Sequence, residues 1–262
     1  MGKLNFFYKV FLTGLICTSA FVFSAKSQNT VIHTNMLWLS YNNTYEINKK
    51  FSVVSDALLR TRDYFSKWSQ MAVRSGVSYA AGKRFSLAVG FAWFKNVQYV
   101  GTDPLFKNEY RPWQDIVYKA KLFNKKAILT ERLRNEERFQ QAVINNKLSS
   151  HYDFVDRLRY RIELMFPLHD TAWAVGGGNE VMINPRYIKG PRFFDQDRIF
   201  FSVNRNLSPS VFLQTSLMEV IQQKGKATVF EDQNVLRISL FQRINYRKKT
   251  LPAKPNYGKH DE

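Results

Sequence analysis

Four histidines, one cysteine and a run of glycines are the places where this 262-residue chain could do chemistry. Hydrolysis or acyl transfer on a lipid needs a serine activated by a nearby histidine. Of His33, His151, His169 and His260, only His33 falls on a segment that alternates as a strand, with Asn35 and Ser40 close by in sequence. His151 ends a long loop, His169 sits in a tight turn, His260 lies in the tail, and no Gly-x-Ser-x-Gly elbow is present. His33 therefore reads as an interfacial or interior residue and not as a base. No two histidines stand four apart, so no metal-ligand pair forms on a helix. Gly176, Gly177 and Gly178 lack the Lys-Ser/Thr ending of a phosphate loop and read as a strand kink or bulge. The expectation is a chain without a catalytic centre, cofactor or metal.

Charge is the stronger signal. Lys and Arg number 39 against 21 Asp and Glu, a formal charge of +18. A hydrophobic share of 45% is too high for a disordered polycation. A mean hydropathy of −0.35 is too low for a bundle of membrane helices. One cysteine forbids an internal disulfide framework.

The first residues explain the cysteine and lower the charge. Lys3 and Lys9 precede an apolar run from Val10 to Phe23, followed by Ala25-Lys26-Ser27, the pattern of an export signal. Cys17 follows Leu15 and Ile16, and a bulky Ile before Cys does not suit lipid attachment. Removal of 1–27 leaves Gln28 first, discards Cys17, Lys3, Lys9 and Lys26, and lowers the charge to +15. Residues 28–246 are read as one folded domain, and 247–262, with Pro252 and Pro255 among lysines, as a basic disordered tail. Export argues against nucleic acid as the partner of these cations and rings.

The domain alternates with period two. Phe85, Leu87, Val89, Phe91 and Trp93 share one face, with Ser86, Ala88, Gly90 and Ala92 on the other. Phe154, Leu158, Tyr160, Ile162, Leu164 and Phe166 share a face opposite Arg157, Arg159, Arg161 and Glu163. Leu236, Ile238 and Leu240 alternate with Arg237 and Ser239, and Arg243 follows. Similar alternation gives about eleven strand candidates, most longer than the usual five or six residues of soluble sheets. The second face decides what covers the first. It holds Asp56, Arg60 and Arg62; Arg132, Arg134, Glu136 and Arg138; and the arginines around Glu163. Arginine with interspersed acids suits a cramped polar lumen, because guanidinium forks pair bidentately with carboxylates. The fold class read here is all-β: a single antiparallel transmembrane β-barrel of 10–12 strands, apolar face outward.

Connections sharpen that expectation. Tight turns are read near 81–84, 123–125, 167–170 and 206–209, and long loops near 96–111, 139–153, 184–196 and 223–233. Short turns on one side and long loops on the other suit an outer-membrane barrel. A chain starting and ending on the turn side requires an even count, ten or twelve. Glu131 and Asp156 fall on the lipid face, where a bulge or a rim position would account for them.

The chain resembles the outer-membrane β-barrel proteins of Bacteroidetes-type bacteria classed as domain of unknown function 2490. Trp38, the turn Asn48-Lys49-Lys50-Phe51, Arg60 and the stretch Arg74-Ser75-Gly76-Val77-Ser78-Tyr79 carry the resemblance. So do the paired segments Glu131-Arg132-Leu133-Arg134 through Phe139 and Asp156-Arg157-Leu158-Arg159-Tyr160-Arg161. The resemblance implies an outer-membrane barrel and transfers no activity or functional residue.

The expected lumen set is Asp56, Arg60, Arg62, Arg74, Arg132, Arg134, Glu136, Arg138, Arg157, Arg159, Arg161, Glu163, Arg237 and Arg243. A second cationic group, Lys107, Arg111, Arg186, Lys189, Arg192, Lys224 and Lys226, is assigned to long loops facing lipopolysaccharide phosphates. The expected function is a structural barrel or a small anion-preferring pore whose partners are outer-membrane lipids. Two alternatives stand beside it: a lipid-modifying hydrolase or acyltransferase, and a secreted soluble protein binding lipid or carbohydrate.

Overall fold

In the computed structural model, the residues described are 30–168, 171–187, 190, 192–224 and 228–245. The segments read in sequence as an export signal and a basic tail lie outside them, as do Cys17, His169, Lys189, Lys226 and His260. Eleven strands follow one another: β1 (Thr30–Glu46), β2 (Phe51–Arg62), β3 (Lys67–Ala80), β4 (Phe85–Val100), β5 (Asp103–Leu122), β6 (Ala127–Ile144), β7 (Lys147–Pro167), β8 (Trp173–Ile183), β9 (Phe194–Ser208), β10 (Val211–Gln223) and β11 (Val229–Asn245). Each pairs with its sequence neighbour, and β1 meets β11 to close the sheet into a barrel. Closure leaves no unpaired edge.

The count is eleven, so the even number expected from parity is wrong. Ten successive antiparallel pairings return β11 to the direction of β1, and the two meet in parallel. Side-chain bonds across this seam keep a near-constant offset: Thr34 to Glu231 at 197 residues, Ser40 to Ser239 at 199 and Tyr41 to Gln242 at 201. A constant offset is the mark of parallel strands. The sheet consequently starts at one mouth, here called upper, and finishes at the lower.

The loops expected at 96–111 and 139–153 are not loops. β4 and β5 stay paired as far as Val100 and Asp103, and β6 and β7 as far as Ile144 and Lys147. Asn145 and Asn146 both have positive φ (50° and 60°), the geometry of a two-residue hairpin turn whose twist suits the flanking strands. These upper segments mix apolar and polar residues on both faces, as Val97, Leu105, Phe106, Val143 and Ile144 do among Asn, Gln, Lys and Asp, so period two is lost and the sequence resembles a loop. The other upper connections join β8 to β9, with a 3-10 turn at Pro185–Tyr187, and β10 to β11. Turn length therefore does not alternate as expected. Asymmetry lies in strand length, from 11 residues in β8 to 21 in β7.

The outer face is apolar. Val89, Ile199 and Leu217 expose 60%, 58% and 64% of their surface, among many large hydrophobic neighbours pointing outward. Cross-strand ring pairs border this face near the lower mouth, Phe51 with Tyr79 at 5.1 Å and Phe85 with Tyr118 at 4.9 Å. Glu131 and Asp156 do point outward, and the β6–β7 register runs without a bulge at either. Glu131 accepts a hydrogen bond from the Tyr160 hydroxyl at 3.1 Å. Asp156 accepts one at 3.3 Å from the Arg186 backbone, which places it at the upper rim.

The packed core sits inside the barrel. Met36, Trp38, Phe200, Met218, Val220 and Val235 form one inward cluster. Phe94 and Trp113 form another with Ala72 and Ala92. Four rings, Trp38, Phe94, Trp113 and Phe200, thus point inward. Trp113 fits because its neighbours lack side chains: Gly76 and Gly90 are paired across β3 and β4 beneath the indole. The other glycine run, 176–178, lies in regular register with no bulge; the irregularity in that ladder falls at Met182/Ile183. Added Cβ atoms there would meet neighbouring carbonyl oxygens, at 2.1 Å for Gly176 and Gly178. These glycines mark close backbone approach instead of a kink.

A Cβ at Gly90 would lie 2.3 Å from Trp113 and from the Ser75 carbonyl oxygen. Gly90→Val is expected to cost about 1–3 kcal/mol by overpacking. The check is the temperature at which the purified protein loses its compact gel migration in detergent, which should fall, whereas Ser55→Val on the outward face of β2 should leave it unchanged.

Candidate functional site

Among the described residues the barrel interior is where charge is concentrated out of solvent. Strict alternation on β5, β6 and β7 directs Glu109, Arg111, Asp115, Arg132, Arg134, Glu136, Arg138, Arg157, Arg159, Arg161 and Glu163 inward. Register then places like charges opposite one another, Arg132 beside Arg161 and Arg134 beside Arg159. Directly opposed like charges destabilise a sheet unless something stands between them. Carboxylates do so here.

Three buried glutamates organise the network. Glu109 accepts from Arg111 Nε and Arg138 Nε, each at 2.7 Å. Glu136 accepts from Arg157 Nε at 3.0 Å and from Arg159, and Arg111 reaches it at 3.5 Å. Glu180 on β8 accepts from Arg132 at 2.7 Å, Arg159 at 2.9 Å and Arg198 at 3.0 Å. Arg159 therefore bridges Glu136 and Glu180, and Arg157 carries the chain on to Asp195 at 3.0 Å. Asp115 takes Arg134 bidentately. Glu136 and Glu180 are each only 2% exposed. Arg111 lies against Phe94 at 3.6 Å and Arg134 against Trp113 at 4.6 Å, so apolar cluster and ion network share a surface.

All fourteen residues singled out in the sequence line the interior or join its network. They divide into sets. Arg132, Arg134, Glu136, Arg138, Arg157 and Arg159 belong to the network just described. Asp56 pairs with Arg74 at 2.8 Å and Glu163 with Arg161 at 2.8 Å as separate bridges. Arg62 meets Glu231 at 2.8 Å near the upper mouth, and Arg243 meets Glu46 near the lower. Arg60 stacks on Trp38, and Arg237 bonds Ser239.

Sequence reasoning missed Glu109, Asp115, Glu180, Asp195, Arg198 and Glu231, and put Arg111 in an outer loop. Arg111 is 5% exposed on β5, inside the barrel. The signal is present, since Glu109, Arg111, Trp113 and Asp115 alternate inward, but a loop read over 96–111 hides the first two. Glu180 was masked by the glycine run before it. Of the supposed loop cations, Lys107 lies on β5, while Arg186, Arg192 and Lys224 do lie in upper connections.

The catalytic candidates do not meet. His33 Nδ1 lies 3.1 Å from Asp232, and Ser40 donates to Ser239 on the opposite face of β1. Among the described residues no group of three or more His, Cys, Asp or Glu is placed to hold a metal ion. What remains is a cavity of about 1820 Å³ whose wall runs from Lys49 and Lys50 at the lower mouth to Gln98 and Lys107 at the upper.

Glu136→Gln leaves Arg157 and Arg159 facing each other without their shared anion. Breaking one side of a buried ion cluster costs about 3–5 kcal/mol. Urea unfolding in detergent should show a loss of that size, whereas Glu46→Gln at the lower mouth should cost far less.

Comparison with known proteins places this geometry. The family described as "Protein of unknown function (DUF2490)" matches residues 35–231, most of the barrel. No curated protein matches the chain. The matched span takes in the β1 tryptophan, the Arg/Glu strands β6 and β7, and the glutamates that join them. The chain belongs to the DUF2490 family.

Proposed function

We propose that this chain is exported and spans the outer membrane as a non-catalytic barrel whose cationic interior admits small anions in preference to cations. The observation that carries the reading is inversion: apolar side chains cover the outside while arginines and carboxylates fill the inside. Apolar surface in water costs about 25 cal/mol per Å². A sheet that turns such residues outward all round is matched to hydrocarbon. The same inversion weighs against a soluble carrier, which would put its apolar face inward. Export by the leader supplies the route.

In this reading the upper hairpins stand on the cell exterior, where Arg186, Arg192 and Lys224 meet lipopolysaccharide phosphates. The lower mouth faces the periplasm. A purely structural, non-conducting barrel is the second reading. It is favoured by the network of β5–β9 and the Met36–Val235 cluster, which together occupy the upper part of the interior.

Amino-terminal sequencing of the protein recovered from envelopes should begin at Gln28, and the protein should migrate anomalously unless boiled. Recovery in the aqueous fraction without detergent would overturn the membrane reading. In planar bilayers under a salt gradient, the reversal potential should take the sign of anion selectivity. A cation preference would overturn the pore, and absence of conductance would leave the structural barrel.

A further inference from the structure

The interior is not uniformly neutralised. In the network Glu109, Glu136, Glu180 and Asp195 are each shared among arginines and Asp115 takes Arg134 alone, yet two inward guanidiniums take no part. Arg60 and Arg237 have no carboxylate at ion-pair distance among the described residues. The charges acting most strongly on Arg60 are Arg198, Arg111, Arg74 and Arg159, all positive. The charges acting most strongly on Arg237 are Arg161 and Arg74, both positive, with Glu180 and Glu163 opposing them from beyond ion-pair distance. Arg74 is the common neighbour.

Both side chains are held with donors free. The Arg60 guanidinium lies 3.7 Å from the Trp38 ring, so the indole supports one face and leaves the N–H edges open. Arg198 lies over the same ring at 5.0 Å. Arg237 donates Nε to Ser239 at 3.0 Å, leaving its terminal nitrogens. Both residues line the cavity wall and are half-buried, so their nitrogens are reachable from it.

Hydrogen-bond accounting points the same way. Trp38 Nε1, Arg132 Nε, Arg159 Nε and Arg198 Nε are buried donors with no acceptor among the described residues. Buried donors without partners are costly and rare. Gln70 Oε1, across the β2–β3 ladder from Arg60, is a buried acceptor without a partner as well, so what the interior around Arg60 lacks is negative charge. A group suited to it carries only acceptors and more than one negative charge. Phosphate has both properties and matches guanidinium edges bidentately. A single carboxylate brings less charge and fewer oxygens.

We propose that Arg60 and Arg237, with Arg74 as their shared neighbour, form a lumen binding site for a phosphate-type oxyanion. The site rests on the water-filled interior of the reading above, because the anion must enter through a mouth. Arg60 acts through its exposed edge, Arg237 through its terminal nitrogens, and Trp38 keeps the Arg60 plane fixed.

The test uses the full chain in non-ionic detergent, with binding of inorganic phosphate and of short-chain phosphatidic acid measured by calorimetry. Saturable binding with one site per chain is expected, weakening as salt is raised. Arg60→Gln combined with Arg237→Gln should reduce affinity at least tenfold, and Arg243→Gln at the lower mouth should leave it within twofold. Tighter binding of inorganic phosphate identifies a small soluble ion, and tighter binding of the phosphatidic acid a lipid headgroup. Should the double variant lose its heat-modifiable migration, Arg237→Lys, which keeps the charge and removes the fork, should still weaken binding severalfold. Absence of saturable binding to the intact chain overturns the site, as does an equal loss in Arg243→Gln. Because binding is read in detergent, it is separable from conductance. Phosphate bound without conductance sinks the pore alone; anion conductance without phosphate binding sinks the site alone.

Discussion

Arginine opposite arginine is the constraint on which the interior depends. On β6 and β7 the register sets Arg132 against Arg161 and Arg134 against Arg159, an arrangement that repels on its own. Glu136 and Glu180 turn repulsion into cohesion because each takes several guanidiniums at once. Guanidinium geometry makes this feasible: a planar fork gives different nitrogens to different acids, as Arg159 does. β5 and β8, one on each side, supply Glu109, Asp115 and Glu180, so charge balance ties four successive strands together across their ladders. The backbone hydrogen bonds would close such a sheet with many sequences. The placement of five carboxylates among the arginines makes this register electrostatically tolerable.

The barrel's apolar order is inverted, but not completely. Aromatic rings also face inward, and there they support cations. Trp38 carries Arg60 and Arg198, Phe94 carries Arg111, and Trp113 carries Arg134. An aromatic face offers partial negative charge where no further carboxylate fits, and it fills volume that water would otherwise occupy. The glycines under Trp113 belong to the same economy of space. Small inward residues on β3 and β4 leave room for large ones on β5.

Much of this was legible in sequence. Alternation on 85–93 and 154–166 reports which face each residue takes, since period two follows from the pleat. It therefore revealed barrel class and the inward arginines. It did not reveal partners: Glu180 and Asp195 meet Arg159 and Arg157 only through register and curvature, which a linear reading lacks. It failed at strand ends as well. In the upper strand ends apolar and polar residues mix on both faces, so periodicity vanishes although pairing continues to Val100 and Ile144. Arg111 was lost at that boundary. Parity failed for a different reason, because alternation says nothing about which strand closes the sheet.

The parallel seam sets β1 and β11 apart from the other strands. Every other junction is made between segments adjacent in the chain and can grow as a hairpin zips. The β1–β11 contacts join residues about two hundred positions apart, such as His33 with Asp232 at 199. Loop-closure entropy and high contact order make such pairing late and slow. Until both strands are in place, the sheet is an open ribbon with two sticky edges. Assembly of the cylinder is therefore all-or-none at one joint, and a polypeptide truncated within β11 retains ten strands but no ring.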